Sequence, residues 1–146
     1  MSINIESFLT ASEEQDVIEA IRQAELNTSG EIRVHLENSA KGNIQNRALQ
    51  VFHDLKMDNT KLQNAVLIYV AVKDKTFAIY GDKGINDVVP ENFWDSTKIV
   101  IEQHFKAWNF KLGLVEGVLK AGEQLKSHFP INTNDENELP NEISTS

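Results

Sequence analysis

The sequence has no cysteine, which excludes disulfides, thiolate metal sites and cysteine nucleophiles. It also lacks a long hydrophobic run. The longest, Ala65 to Val72, falls far short of the roughly 20 residues that a membrane-spanning helix needs. Residues 1–9 offer neither the basic start nor the apolar stretch of a signal peptide. Basic residues are scarce: 14 Lys and Arg stand against 22 Asp and Glu, a formal charge of −8. Such a chain repels phosphate backbones and anionic lipid, so no nucleic-acid or membrane partner is expected, and cations or basic partners fit better. No Walker loop and no Gly-x-Ser-x-Gly elbow occurs. His35, His53, His104 and His128 are scattered without ligand spacing, which argues against a zinc site or a histidine-based triad. These absences lead us to expect a soluble, cytoplasmic protein.

What is present suits one domain: 146 residues, of which 40% are hydrophobic, can bury a proper core. Thr10 and Glu13 read as a capping box, and Val17, Ile18, Ile21 and Ala24 recur at helical spacing, so a helix is predicted from Ala11 to Leu26. Asn27-Thr28-Ser29-Gly30 stops it. Glu31 to Glu37 alternates apolar and polar residues, the pattern of a half-exposed strand. A second amphipathic helix covers Ile44 to Leu55. Ala65 to Val72 reads as a strand covered on both faces, and Lys73-Asp74-Lys75 turns it back into a strand over Thr76 to Tyr80. Gly81 to Val89 has no clear period. Pro90 then opens a helix carrying Phe93, Trp94, Phe105 and Trp108 on its core face. A last helix follows from Leu112 to Phe129, with Gly113, Gly117 and Gly122 allowing close backbone approach. Residues 132–146 hold four acids and no base; they are predicted to form a disordered acidic tail beyond a domain at 1–131.

This order calls for an α/β fold, a three-layer α/β/α sandwich around a small mixed sheet of three or four strands. The first crossover leaves its two strands parallel, with their N-termini at one edge. The hairpin returns to that edge, so Glu31, Asn64 and Asp82 are expected to meet there. Singly, Glu31 reads as a solvated strand-end acid. Together they offer two carboxylates and an amide oxygen, the hard donors that calcium takes in sixes to eights with loop carbonyls and water. Glu25, facing the negative end of its own helix, and Asp87 are further candidate ligands. Asp58-Asn59-Thr60 and the run from Asn132 to Asn137 lack the glycine and terminal glutamate of an EF-hand loop. Lys83 reads as a solvated loop lysine.

At these residues the chain resembles the TPM domain family. The likeness rests on Glu25 to Val34 with its Thr28-Ser29-Gly30-Glu31 core, on Asn64-Ala65-Val66-Leu67-Ile68, and on Gly81-Asp82-Lys83-Gly84, with Trp94 and a glycine-rich last helix downstream. It spans most of 11–129. Ala65 stands where the family pattern has glycine, which narrows the approach beside Asn64. The resemblance implies an α/β/α sandwich that binds a divalent cation, usually calcium, at loops on one sheet edge. For some members it also implies an acid phosphatase activity. Many members carry a signal peptide and a membrane anchor, whereas this chain is expected to be a stand-alone domain. Two functions are therefore expected. One is a non-catalytic domain that binds calcium, or magnesium, to order its loops and present a surface to a protein partner. The other is a metal-assisted phosphomonoesterase with Asp82 as base or nucleophile. A third, blander expectation is an interaction domain whose sheet edge binds nothing.

Overall fold

The computed structural model describes residues 4–131 and 141–146. A short turn of helix, α1 (Ile5–Phe8), leads into α2 (Ala11–Glu25), and the expected capping box between Thr10 and Glu13 opens the latter. β1 (Glu31–Glu37), α3 (Ile44–Asp54) and β2 (Ala65–Ala71) form the crossover, and β3 (Thr76–Gly81) completes the hairpin. β1 and β2 are parallel, with Glu31 opposite Ala65 and Glu37 opposite Ala71. β3 runs antiparallel to β2, with Gly81 opposite Val66. The remaining elements are α4 (Lys83–Asn86), α5 (Asp95–Lys106), α6 (Phe110–Lys126) and β4 (Ile143–Thr145). The sheet order is β3-β2-β1-β4.

The strand period decides the two cores. Val66, Ile68 and Val70 face one way with Ile32, Val34 and Leu36, under α2, α5 and α6. Ala65, Leu67 and Tyr69 face the other, under Ala48, Val51 and Phe52 of α3. β2 is buried along its whole length, as its unbroken apolar run requires. α6 lies close against its neighbours because glycines remove side chains at the crossings: a Cβ on Gly117 would come within 2.5 Å of Ile101, and one on Gly122 within 2.7 Å of Ala24. Among the described residues no helix is long and apolar enough to cross a membrane.

Four features differ from the sequence-based expectation. β1 is not half-exposed: Arg33 and His35 are buried too, because β4 pairs alongside and offers them polar partners. That strand lies inside the stretch expected to be a disordered tail; Ile143 pairs with Val34 and Thr145 with Leu36, in parallel. Residues 132–140 of that stretch lie outside the described residues. α5 begins at Asp95, so Phe93 and Trp94 occupy the turn before it, although both are buried. Trp108 is not core. It follows α5 at φ 61° and is 52% exposed, because the chain must reverse there before α6 begins at Phe110.

Candidate functional site at the sheet edge

The N-terminal ends of β1 and β2 and the C-terminal end of β3 share one edge of the sheet, and each carries one of the expected residues. The loop before β1 is pinned from afar: Thr28 Oγ1 donates to the Phe129 carbonyl, Ser29 N–H donates to the same oxygen at 2.9 Å, and Gly30 N–H donates to Thr28 Oγ1 at 3.1 Å. Asn64 ties that loop to β2. Its carbonyl accepts from Glu31 N–H at 3.3 Å, and its amide nitrogen donates to Ser29 Oγ at 3.3 Å. Asn64 and Glu31 are both buried.

Glu25, at the end of α2, meets the start of β1. Its Oε2 accepts from Ile32 N–H at 2.8 Å, and its carboxyl hydrogen-bonds the Glu31 side chain. Burial pushes Glu25 far above the usual carboxylate range, and the charge of Glu31 adds to the shift. The pair therefore holds a proton at neutral pH. On the far side of β2, Asp82 N–H donates to the Ala65 carbonyl at 2.9 Å. Asp82 caps α4, its Oδ1 accepting from Lys83 N–H at 2.7 Å, while its Oδ2 is buried with no hydrogen-bond partner among the described residues. The Asp82 charge contributes, after burial, to raising the Tyr80 hydroxyl.

Ala65 thus lies between Glu31 and Asp82. At strand spacings of about 4.8 Å their Cα atoms stand about 10 Å apart. Among the described residues no group of three or more His, Cys, Asp and Glu side chains is placed to hold a metal ion. The structure brings Glu25 to Glu31 and sets Asn64 and Asp82 at neighbouring strand ends. Asp87 stands apart from this arrangement in character: it is exposed, with its carboxylate 3.9 Å from Lys83 Nζ, one turn away on α4. α4 itself is pressed onto the loop before β2, since a Cβ on Gly84 would come within 2.2 Å of the Leu62 carbonyl oxygen. Two more polar atoms without partners belong to this region of the chain, Thr60 Oγ1 in the loop before Asn64 and Trp94 Nε1, which lies near Gly81.

A second polar cluster, unforeseen, occupies the opposite end of β1. Arg47 of α3 grips Glu37 with Nε at 2.7 Å and Nη2 at 2.6 Å, and Tyr69 OH donates to Glu37 Oε1 at 2.7 Å. The Arg47 bond lowers Glu37 to about 2. Ser146 Oγ also reaches Glu37. His35 meets Ser144 Oγ at Nδ1 (2.8 Å) and Ser146 Oγ at Nε2 (2.7 Å), and burial lowers it to about 4. Among the described residues no carboxylate hydrogen-bonds the imidazole, as a nucleophile-activating triad would need; the cluster fastens β4 to β1. The available signal was Tyr69, one hydroxyl inside an otherwise apolar strand, in register with His35.

Comparison with known proteins agrees with this architecture. The model of the TPM domain family matches residues 3–124. The BA42 protein of the psychrophilic bacterium Bizionia argentinensis, solved by NMR, is 62% identical, with a TM-score of 0.92 over 97% of this chain and 98% of that one. Two more distant NMR structures share the fold. The N-terminal domain of a P. gingivalis protein is 19% identical (TM-score 0.64, 84% of this chain, 79% of that one). That of cg2496 from Corynebacterium glutamicum is 12% identical (TM-score 0.62, 92% and 79%). No curated protein matches the chain.

Proposed function

Since the chain belongs to the TPM domain family, we propose that it binds a divalent cation, calcium or the smaller magnesium, at the edge formed by Glu31, Asn64 and Asp82. The observation that carries this reading is Asp82 Oδ2, buried and without a donor. Leaving a charged oxygen in that state costs more than the roughly 1–3 kcal/mol of a neutral unpaired group, and a cation would remove the cost. The Glu25 and Glu31 pair supports the same reading, because two carboxyls forced to share a proton would both ionise beside an ion. Calcium suits the donor set better than zinc, since it accepts few carboxylates if amide and carbonyl oxygens and water complete its shell. When bound, the ion would supply charge neutralisation and tie together the loops before β1 and β2 and after β3. Their ordered surface would then be available to a protein partner.

The alternative is a metal-assisted phosphomonoesterase using the same ion. It would ask Asp82 to serve as base or nucleophile through Oδ2, the same oxygen that the ion would take, since Oδ1 accepts from Lys83 N–H; the binding role therefore has the stronger support. Calorimetric titration of chelator-treated protein with calcium tests the proposal. Asp82→Asn should weaken binding by at least about tenfold, as a charged ligand is lost. Asn64→Ala should weaken it less, because water replaces a neutral oxygen. Asp74→Asn, at the opposite end of the hairpin, is the control. If it weakens binding as much as Asp82→Asn does, net charge is responsible and the site is wrong. Phosphate-ester turnover that requires calcium and disappears in Asp82→Ala would favour the enzyme.

A further inference from the structure

β3 has no strand on its outer side among the described residues. Asp82 N–H bonds the carbonyl of Ala65 directly opposite, so Thr76, Ala78 and Tyr80 turn their backbone groups toward β2, and Phe77 and Ile79 turn theirs outward. This edge is recessed. A groove of about 620 Å³ runs along it, with Gln45 of α3 on one wall, Lys98 and Phe105 of α5 on the other, and Phe77 and Ala78 between them. Phe105 stands edge-on to Phe77 at 5.6 Å. Lys75 and Trp108 also line the groove, with Lys75 Nζ 4.2 Å from the indole centroid.

The lining is unusual for this chain. Trp108 adopts φ 61°, a strained conformation for a bulky residue, and leaves its ring half in water rather than burying it. Of the three lysines and one glutamate in the groove, Lys106 pairs with Glu102 at 3.1 Å. Lys75 and Lys98 make no ion pair among the described residues, so the groove is cationic on a protein of charge −8. An unpaired strand edge between two helical walls, with an aromatic shelf, has the layout of strand-addition sites. The charge identifies the occupant.

We propose that this edge docks an extended acidic segment of a partner protein. The segment adds as a strand beside β3, hydrogen-bonds Phe77 and Ile79, sets its acids on Lys75 and Lys98, and rests an apolar side chain on Phe77 and Trp108. A second copy of this chain fits poorly, because two β3 edges would bring their lysines together.

The test uses a labelled peptide of about nine residues, the length of a long strand, alternating glutamate and valine around a central phenylalanine. Anisotropy gives the affinity, and amide shifts of 15N-labelled protein give the location. The expected result is saturable binding that moves the amides of Phe77 and Ile79 first. Lys75→Glu with Lys98→Glu should weaken it by about tenfold or more while the amide spectrum of the free protein still shows the native fold. Trp108→Ala should weaken it severalfold. Methylating alternate peptide nitrogens in the register that faces β3 should abolish binding. Absence of saturable binding overturns the proposal, as does binding indifferent to N-methylation or charge reversal, equal binding of a lysine-for-glutamate peptide, or shifts confined to other elements. Concentration-dependent dimerisation that shifts Phe77 and Ile79 without peptide would make a second copy the occupant and overturn it too.

Discussion

Gly84 is held to glycine by what faces it. A Cβ there would lie 2.2 Å from the Leu62 carbonyl oxygen and 2.5 Å from that of Gln63. Both are backbone atoms, which cannot swing aside like the end of a side chain. Gly84→Ala should therefore lift α4 off the loop before β2 and cost about 1–3 kcal/mol, in the range of overpacked interiors. Because Asp82 caps α4, the same substitution should weaken calcium binding. Thermal melting and calorimetry check both effects, with Lys83→Ala, an exposed neighbour, as the reference. A melting temperature equal to that of the parent would show that the close approach carries no weight. The glycine was visible along the chain as a turn former, but its neighbours were not, since they come from a loop some 20 residues earlier. Asp82 was legible for a different reason: it ends a strand whose hairpin partner begins at Ala65, so its edge followed from pairing alone.

β4 is the element least expected and the most conditional. Three residues of parallel ladder hold it, helped by the two serine contacts of His35, the Ser146 contact of Glu37 and the 3.2 Å ion pair of Arg33 with Glu142. His35 faces Glu37, Arg47, Arg33 and Tyr69, and burial keeps it neutral, with its titration lowered to about 4. The ordinary histidine value is near 6.5, so the undocked state binds a proton first as pH falls. Docking is accordingly at full strength above about 6.5 and weakens steadily toward 4. Glu37, lowered to about 2 by Arg47, adds a further loss only below its ordinary range. Hydrogen exchange at the Ser146 amide, which donates to the Leu36 carbonyl at 3.2 Å, reads the strand directly. After correction for intrinsic rates, its protection should fall between pH 6.5 and 4, and the fall in that window should vanish in His35→Gln. A fall that persists in the variant would assign it to the carboxylates instead. Two helices needed no such help: capping at Thr10 and apolar periodicity made α2 and α3 readable within a residue, whereas α6 runs from Phe110 to Lys126 rather than from Leu112 to Phe129.

For the whole molecule, the proposed site would link folding to the concentration of its cation. An ion that binds only the folded state stabilises it by mass action, by about 2.7 kcal/mol at a hundredfold excess over the dissociation constant. Calcium should therefore raise the melting temperature progressively with concentration, and sodium chloride at matched ionic strength should not reproduce the rise. Protein verified as metal-free that melts at one temperature with and without calcium would reject the binding proposal. The peptide groove along β3 lies on the edge strand and the α5 wall, so its occupancy is a separate measurement.

Local chemistry along the chain is enough to establish the architecture and to bring Glu31, Asn64 and Asp82 to one edge of the sheet. Alternation marks β1, an unbroken apolar run marks β2, and the helical crossover between them sets their relative direction; each is read from a short stretch of chain. Contacts between distant residues decided the rest. The shared proton of Glu25 and Glu31 depends on how α2 ends against β1. The turning of Asp87 to Lys83 depends on a helix too short to show a period. The burial of His35 depends on Ser144, 109 positions away. No pattern within one element encodes such partners, because burial and pairing energies arise only when the elements pack.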